Sequence, residues 1–393
     1  MKKTLIALGV LAALPSLAMS SEVKIYGKID VGLAYYNIDP GVAGQDSVSS
    51  LSMMSGQTAG SRLGFTGSED LGNGHKVGFI LENGMNIDSG SLGQGGKLFG
   101  RQALLYVDGP YGNIKFGKMG ALTSGYPSTG LFGGNMSPLA VGLGEVAGHR
   151  YLYSSEDLVP MDNTITYASP SWSGWQVLLQ YSMGMDGSKG TENKTSVDRY
   201  MAAGIRFDNK NTEFNFVVDT TNFRSIGEGS YNNPDDGVRA TVGVRHGLGF
   251  MTLYAGGQYF KDSRTFVQEA NQFYHAIGQH DDPYGTGTEP FLSNKYGKDG
   301  FGLNLGLDYP AMGGTWKLQT GYMDAEFSED SNIQMKRWFL SAGYWYDFSK
   351  RTTLYSGISY IEDKVEGKNA NVDYDQFDKA HAVTASLGLV HNF

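Results

Sequence analysis

From Val23 onward the chain alternates. Val23, Ile25, Gly27, Ile29, Val31, Leu33 and Tyr35 share one parity, and Lys24, Tyr26, Lys28, Asp30, Gly32 and Ala34 share the other. Successive side chains of a strand point to opposite faces, so this is a strand with one apolar and one charged face. The pattern recurs. Phe301, Leu303, Leu305 and Leu307 oppose Asn304 and Asp308, and Val238, Ala240, Val242 and Val244 oppose Arg239, Thr241 and Arg245. Trp338, Leu340, Ala342, Tyr344 and Tyr346 oppose Arg337, Phe339 and Ser341, and the last run is Val383, Ala385, Leu387, Leu389, His391 and Phe393. The segments have the length that a tilted strand needs to cross a bilayer, roughly 10 residues. The apolar series is therefore expected to face lipid and the polar series an aqueous bore.

The strands predicted this way are 22–36, 60–69, 75–88, 98–108, 112–119, 150–154, 163–169, 174–184, 198–207, 212–221, 237–246, 250–260, 300–308, 315–325, 336–346, 352–362 and 380–393. A barrel should hold an even number. The short 150–154 segment reads as the wall side of a loop, which leaves sixteen. Connections alternate in length. Tight turns rich in Gly, Asn and Asp fall at 70–74, 208–211, 247–249, 309–314 and 347–350. Long polar stretches fall at 37–59, 89–97, 185–197, 222–236, 261–299, 326–335 and 363–379. Short turns on one side and long loops on the other are the outer-membrane barrel layout. No fixed-length repeat points to a propeller or solenoid. Trp172, Trp175, Trp345, Tyr346 and Phe393 fall near strand ends, where an aromatic girdle is expected.

The first twenty residues do not fit the pattern. Met1-Lys2-Lys3, an apolar stretch from Leu5 to Leu14, and small residues around Ala18 and Ser20 read as a secretory signal peptide. Cleavage is expected after Ser20, with Ala18 as the alternative, leaving 21–393 as one barrel domain. Losing Lys2 and Lys3 takes the net charge from −9 to −11. No remaining apolar run reaches helix-spanning length, so membrane residence must use strands. There is no cysteine, and glycine is abundant at 56 residues, about twice the usual share of roughly 7%.

The motifs Ser61-Arg62-Leu63-Gly64-Phe65-Thr66-Gly67-Ser68-Glu69-Asp70-Leu71-Gly72-Asn73-Gly74, Phe99-Gly100-Arg101-Gln102-Ala103, Tyr167-Ala168-Ser169-Pro170, Asp347-Phe348-Ser349-Lys350-Arg351-Thr352 and the terminal His391-Asn392-Phe393 appear in that order. With them the chain resembles the general diffusion porins of Gram-negative outer membranes, in particular the trimeric sixteen-stranded kind of β-proteobacteria. The resemblance implies a 16-stranded antiparallel transmembrane β-barrel, a homotrimer with three pores, and a third loop folded inward to narrow each one. It also implies that the terminal aromatic is read by the barrel-assembly machinery. Here the third loop is expected at 120–149, with Leu131-Phe132-Gly133-Gly134 resembling the family's Pro-Glu-Phe-Gly-Gly tip. The family's wall arginines map onto Arg62, Arg101 and, less closely, Arg150. Leu131 replaces the tip glutamate, and Glu145 is the only acid between Met119 and Ser155.

Guanidinium groups stay charged and carry several donors, so a cluster at a narrow point attracts anions. Low-dielectric walls concentrate that field. The expected constriction comprises Arg62, Arg101, Arg150, Lys118, Leu131, Phe132 and Glu145. The bland alternative is a set of lumen arginines paired with acids. Lys24, Lys28, Lys76 and Lys118 read first as solvated lumen lysines that add positive potential. Two other function classes compete with open diffusion. In a substrate-specific channel for a sugar or organic anion, Tyr126 and Phe132 would form a stacking path. A barrel hydrolase would need a nucleophile, and no Gly-x-Ser-x-Gly elbow is present.

Gly112-Asn113-Ile114-Lys115-Phe116-Gly117-Lys118 nearly spells a phosphate loop, but Met119 stands where Ser or Thr should bind magnesium, and the stretch reads as a strand. The seven histidines show no zinc spacing. His280-Asp281-Asp282 and Asp235-Asp236 match no calcium-loop spacing. No cofactor, metal or nucleic-acid partner is expected. The expected partners are the lipid bilayer, ions and small hydrophilic solutes, and copies of the chain itself. The function read from the sequence is passive diffusion with a preference for anions.

Overall fold

The computed structural model describes residues 22–39, 41, 46–139, 160–187, 196–224, 235–263, 297–368, 375 and 379–393. The leader, the 150–154 segment and His280-Asp281-Asp282 lie outside the described residues. The described chain forms seventeen strand segments: β1 (Glu22–Asp39), β2 (Val48–Ser55), β3 (Arg62–Gly72), β4 (His75–Gly84), β5 (Gln102–Gly109), β6 (Gly112–Met119), β7 (Met161–Ala168), β8 (Trp175–Ser182) and β9 (Arg199–Asp208), followed by β10 (Thr212–Asn222), β11 (Gly237–Gly247), β12 (Thr252–Lys261), β13 (Lys298–Ala311), β14 (Gly314–Phe327), β15 (Gln334–Asp347), β16 (Thr352–Glu366) and β17 (Ala380–Asn392).

Every neighbouring pair is antiparallel, and β1 pairs with β17 from Lys28↔Asn392 to Asp39↔His381, which closes the sheet. Gly27 and Phe393 exchange both backbone hydrogen bonds at 3.1 Å, extending the seam to its end. Closure satisfies the ladder without an edge, the condition for a strand structure in lipid. Seventeen segments make sixteen staves, because β2 and β3 both pair with β1. β2 covers Val31–Ile38 and β3 covers Glu22–Lys28. The second stave is therefore broken at Gly56–Ser61. The sequence pattern placed all of 37–59 in a loop. The run Val48 to Ser55 alternates serine with leucine and methionine and hides its strand behind that polarity.

Side-chain parity follows the predicted alternation. On β1 Val23, Ile25, Leu33 and Tyr35 are exposed while Asp30, Ala34 and Ile38 are buried. On β13 Phe301, Leu303 and Leu305 are exposed and Asn304 is buried. The exposed parity is the lipid face. Aromatic side chains gather in two bands. Near the turns, Trp175 packs on Phe207 at 4.9 Å and Trp316 on Tyr344 at 5.0 Å. Toward the loops, Trp338 packs on Tyr360 at 5.0 Å and Phe301 on Tyr322 at 6.3 Å. Such bands suit the two bilayer interfaces. Trp345 is a correction. It shares the inner parity with Ser341 and Gly343, stacks on Tyr355 at 6.0 Å and packs against Leu139, so it does not belong to the girdle.

The turns are built from side-chain caps and positive-φ residues. Asp70 Oδ1 accepts from the Gly72 N–H at 2.8 Å, and Asn209 Oδ1 accepts from the N–H groups of Asn211 and Thr212 at 2.9 and 2.8 Å. β13 and β14 run past the predicted 309–314 turn to a two-residue link, Met312-Gly313, with φ of 57° and 79°. Positive φ at both central residues matches the right-handed twist of a hairpin. The phosphate-loop look-alike is β6.

Gly117 takes φ +135°, and an added Cβ would lie 2.2 Å from the Ala103 carbonyl oxygen. It sits at the register shift between β6 and β7. Gly117→Ala is expected to destabilise the barrel by about 1–3 kcal/mol. The check is the temperature at which the folded, heat-modifiable gel band disappears, compared with Gly249→Ala, which has positive φ but open space around it.

Candidate pore constriction

The arginine cluster grows from adjacent staves. Lys28, Arg62 and Gly84 stand side by side in register across β1, β3 and β4, and Glu82 faces Gln102 across β4 and β5. All these strand positions lie on the inner parity. Glu82 is 2% exposed. Its Oε1 accepts from Arg101 Nε at 2.7 Å and Gln102 Nε2 at 3.3 Å and lies 3.8 Å from Arg62 NH1. Its Oε2 accepts from the Tyr26 hydroxyl at 3.0 Å. One carboxylate thus serves two guanidinium groups, with the Lys28 ammonium beside them. Net positive charge remains, facing a recess of about 380 Å³ lined by Tyr26, Lys28, Arg62, Glu82, Gln102 and Ser128.

The third connection, as far as it is described, runs along the inner wall. The Leu122 N–H donates to Gln180 Oε1 at 3.0 Å, and Thr123 Oγ1 donates to Asp219 Oδ2 at 3.4 Å. Asn215 Nδ2 donates to the Leu131 carbonyl at 2.5 Å, and Ser137 Oγ donates to Gln319 Oε1 at 2.6 Å. Gln180, Asn215, Asp219 and Gln319 are buried, on the parity opposite the exposed Leu179, Phe216, Val218 and Leu318. Ser128 donates to Gln102 Oε1 and accepts at its carbonyl from Lys115 Nζ, which ties the loop back to β5 and β6. Tyr126 lies under the Arg101 guanidinium, 4.9 Å from it.

Three predicted constriction residues are placed elsewhere. Leu131 and Phe132 are 3% and 4% exposed, packed with Ala121, Leu122, Met136 and Tyr200. They anchor the loop to the wall, because apolar side chains beside a wet lumen gain most by turning into the protein. Phe132 is accordingly withdrawn from any solute-stacking path. Lys118 faces Ala103 in register, on the parity of Leu105 and Phe116, so it points away from the bore. It donates to Asp162 Oδ1 at 2.7 Å and to the Pro160 carbonyl. Lys24 and Lys28 keep the inner parity, and Lys76 faces Asp108 across β4 and β5. Arg150 and Glu145 lie outside the described residues, as does the loop beyond Leu139.

The far wall neutralises itself. Arg239 Nε donates to Asp219 Oδ1 at 2.5 Å with both side chains fully buried. Arg337 pairs with Asp363, Arg245 with Glu213 at 2.9 Å, and Lys317 with Asp308 at 2.9 Å. Asp235 and Asp236 precede β11, and among the described residues no group of acids and histidines has metal-site geometry.

Residues 5–366 match the profile of the Gram-negative porin family. The chain belongs to the Gram-negative porins. It is 28% identical over 426 residues to an outer membrane porin protein of Bordetella pertussis, covering 100% of both chains. Its fold is similar to that of the anion-selective porin from Comamonas acidovorans, with TM-score 0.66, 20% identity, and 95% and 100% of the two chains covered. It is also similar to OmpT of Vibrio cholerae in its trimer form, with TM-score 0.57, 14% identity, and 95% and 100% covered.

This porin is therefore an outer-membrane channel, and its sequence had left three contributors unnoticed. Glu82, Tyr26 and Gln102 complete the arginine cluster. Parity could have found them, since each falls on the inward series of its strand next to Arg62 or Arg101. Asp30 was visible as an inward charge, but its partners come from the break in the second stave, which the pattern did not reveal.

Proposed function

We propose that this porin passes ions and small hydrophilic solutes by diffusion, with a preference for anions. The observation that carries the reading is the sharing of Glu82 by Arg62 and Arg101, with Lys28 adjacent. Residues 120–139, the loop segment that brings Tyr126 and Ser128 to the cluster, contain no acid, and the inward acids of the opposite wall, Glu213, Asp219, Asp308 and Asp363, are engaged by their own cations. Charges near the narrow point dominate, because distant ones are screened within roughly 8–10 Å. The net charge of the whole chain therefore does not set the sign. The likeness in fold to the Comamonas porin, an anion-selective one, supports the same reading. A reversal potential measured in a planar bilayer under a potassium chloride gradient is expected to have the anion-permeable sign; strong cation selectivity would overturn the reading.

The proposal extends to assembly. A homotrimer is supported by the trimer form of the OmpT neighbour, and the terminal Phe393 suits recognition by the barrel-assembly machinery. Light scattering of the detergent-solubilised protein is expected to give three chains per particle.

A further inference from the structure

The broken second stave has a feature that a regular barrel lacks. Between β2 and β3, residues Gly56–Ser61 leave the wall, and the β1 positions they meet with side chains, Asp30 and Gly32, lie on the inner parity. Asp30, on β1, is fully buried. Its Oδ2 accepts from the Thr58 N–H at 2.7 Å, the Thr58 hydroxyl at 2.7 Å and the Ala59 N–H at 2.9 Å. Its Oδ1 accepts from the Tyr355 hydroxyl of β16 at 2.8 Å. Both ends of the segment hold the backbone of the same residue. The Gly56 N–H and the Ser61 hydroxyl donate to the Asp30 carbonyl at 2.9 and 3.0 Å, and the Asp30 N–H donates to Ser61 Oγ at 3.0 Å.

Two packing contacts set how far the segment reaches. Gln57 lies over Gly32, where an added Cβ would come 3.0 Å from its Nε2. At Gly60 an added Cβ would lie 2.7 Å from Arg101 NH1. The segment therefore starts above the lumen face of β1 and ends against the guanidinium that marks the constriction.

We propose that Gly56–Ser61 is an inward strap, pinned by the Asp30 carboxylate, that forms a second lip of the pore beside the third loop. A carboxylate accepting several donors, backbone N–H groups among them, is a strong, directional anchor, since charge-assisted bonds are about twice as strong as neutral ones. A loop held only by side-chain packing would fray into the bore. Asp30, Thr58 and Tyr355 are positioning residues for this lip. The cutoff for solutes is then set by two elements from two loops, and the strap can be altered without touching the arginines.

The native chain has no cysteine, so a single thiol reports without background. Ala59→Cys channels treated with a charged methanethiosulfonate reagent are expected to lose a large part of their current. Asp30→Asn puts an amide nitrogen against the strap donors, and Thr58→Ala removes one bond. Each is expected to raise single-channel conductance and admit larger neutral sugars. Deleting 57–60 so that β2 runs into β3 should give the largest rise, about twofold, because the narrowest section limits an aqueous pore. If Asp30→Asn fails to assemble, Thr58→Ala and Ala59→Cys carry the test. Wild-type conductance in the Thr58→Ala and deletion variants, with thiol modification leaving the current unchanged, would overturn the proposal. Conductance and sugar cutoff are read without reference to ion sign, so the result stands whichever ion the channel prefers.

Discussion

Reversing the two constriction arginines together, Arg62→Glu with Arg101→Glu, is expected to turn the channel from anion- to cation-preferring. In the native site two guanidinium groups and Lys28 outnumber the two carboxylates near them, Glu82 between the arginines and Asp30 beside Lys28. The double variant leaves Lys28 among four carboxylates. Unit charges about 5 Å apart interact by nearly 1 kcal/mol even in water, more near a protein wall and less once salt screens them. A swing of about tenfold in the ratio of anion to cation permeability is the order expected from such a reversal. Each single variant should move the reversal potential part of the way, with Arg101→Glu also losing its contact over Tyr126. Unchanged reversal potentials in both single variants would show that neither side chain lines the narrow point, and the electrostatic reading would fail with them.

The largest loss of stability is expected at Asp219→Ala. Asp219 is buried, accepts from Arg239 Nε at 2.5 Å and the Tyr200 hydroxyl at 2.9 Å, and receives Thr123 of the third connection at 3.4 Å. Removing it takes away the carboxylate bound by Arg239 Nε, in a side chain that is fully buried. Breaking one partner of such a pair costs about 3–5 kcal/mol, whereas replacing both with apolar residues is often neutral. Asp219→Ala should therefore melt well below wild type by circular dichroism in detergent, and Asp219→Leu with Arg239→Met should recover much of the difference. The same loss in the double variant would mean that the wall depends on the charges themselves rather than on their mutual compensation. Loosening of Thr123 should also make channel current noisier in the single variant.

The wall was legible in the sequence because lipid and water impose opposite demands on neighbouring residues, and β1, β11, β13 and β17 follow the alternation over most of their length. Glycine and asparagine marked the turns for the same local reason. What escaped notice was non-local. Val48–Ser55 carries too many serines to read as a strand, and only its register with β1 identifies it. Trp345 lies near a strand end like a girdle residue, yet parity sends it inward. Lys118 could have been removed from the lumen by counting from Phe116, which shares its face. Leu131 and Phe132 were assigned by motif position alone, and a motif does not tell which way a loop side chain turns. Arg62 and Arg101 were found through the motifs that carry them, Arg62 on the inward series of β3 and Arg101 just ahead of β5. Glu82, which sets their net effect, was on the same series and drew no notice because it belonged to no motif.

The seam has a kinetic consequence. The first strand made, β1, has no permanent neighbour on one edge until β17 has been synthesised almost a whole chain later. Contacts so distant in sequence form slowly, since a very long segment must be ordered before they are rewarded. In the interval β1 exposes an unpaired rim of N–H and C=O groups next to a row of aliphatic side chains, the kind of template that recruits foreign strands. The polypeptide is accordingly most open to mispairing while β1 waits, and its zipping is completed only when the far end arrives.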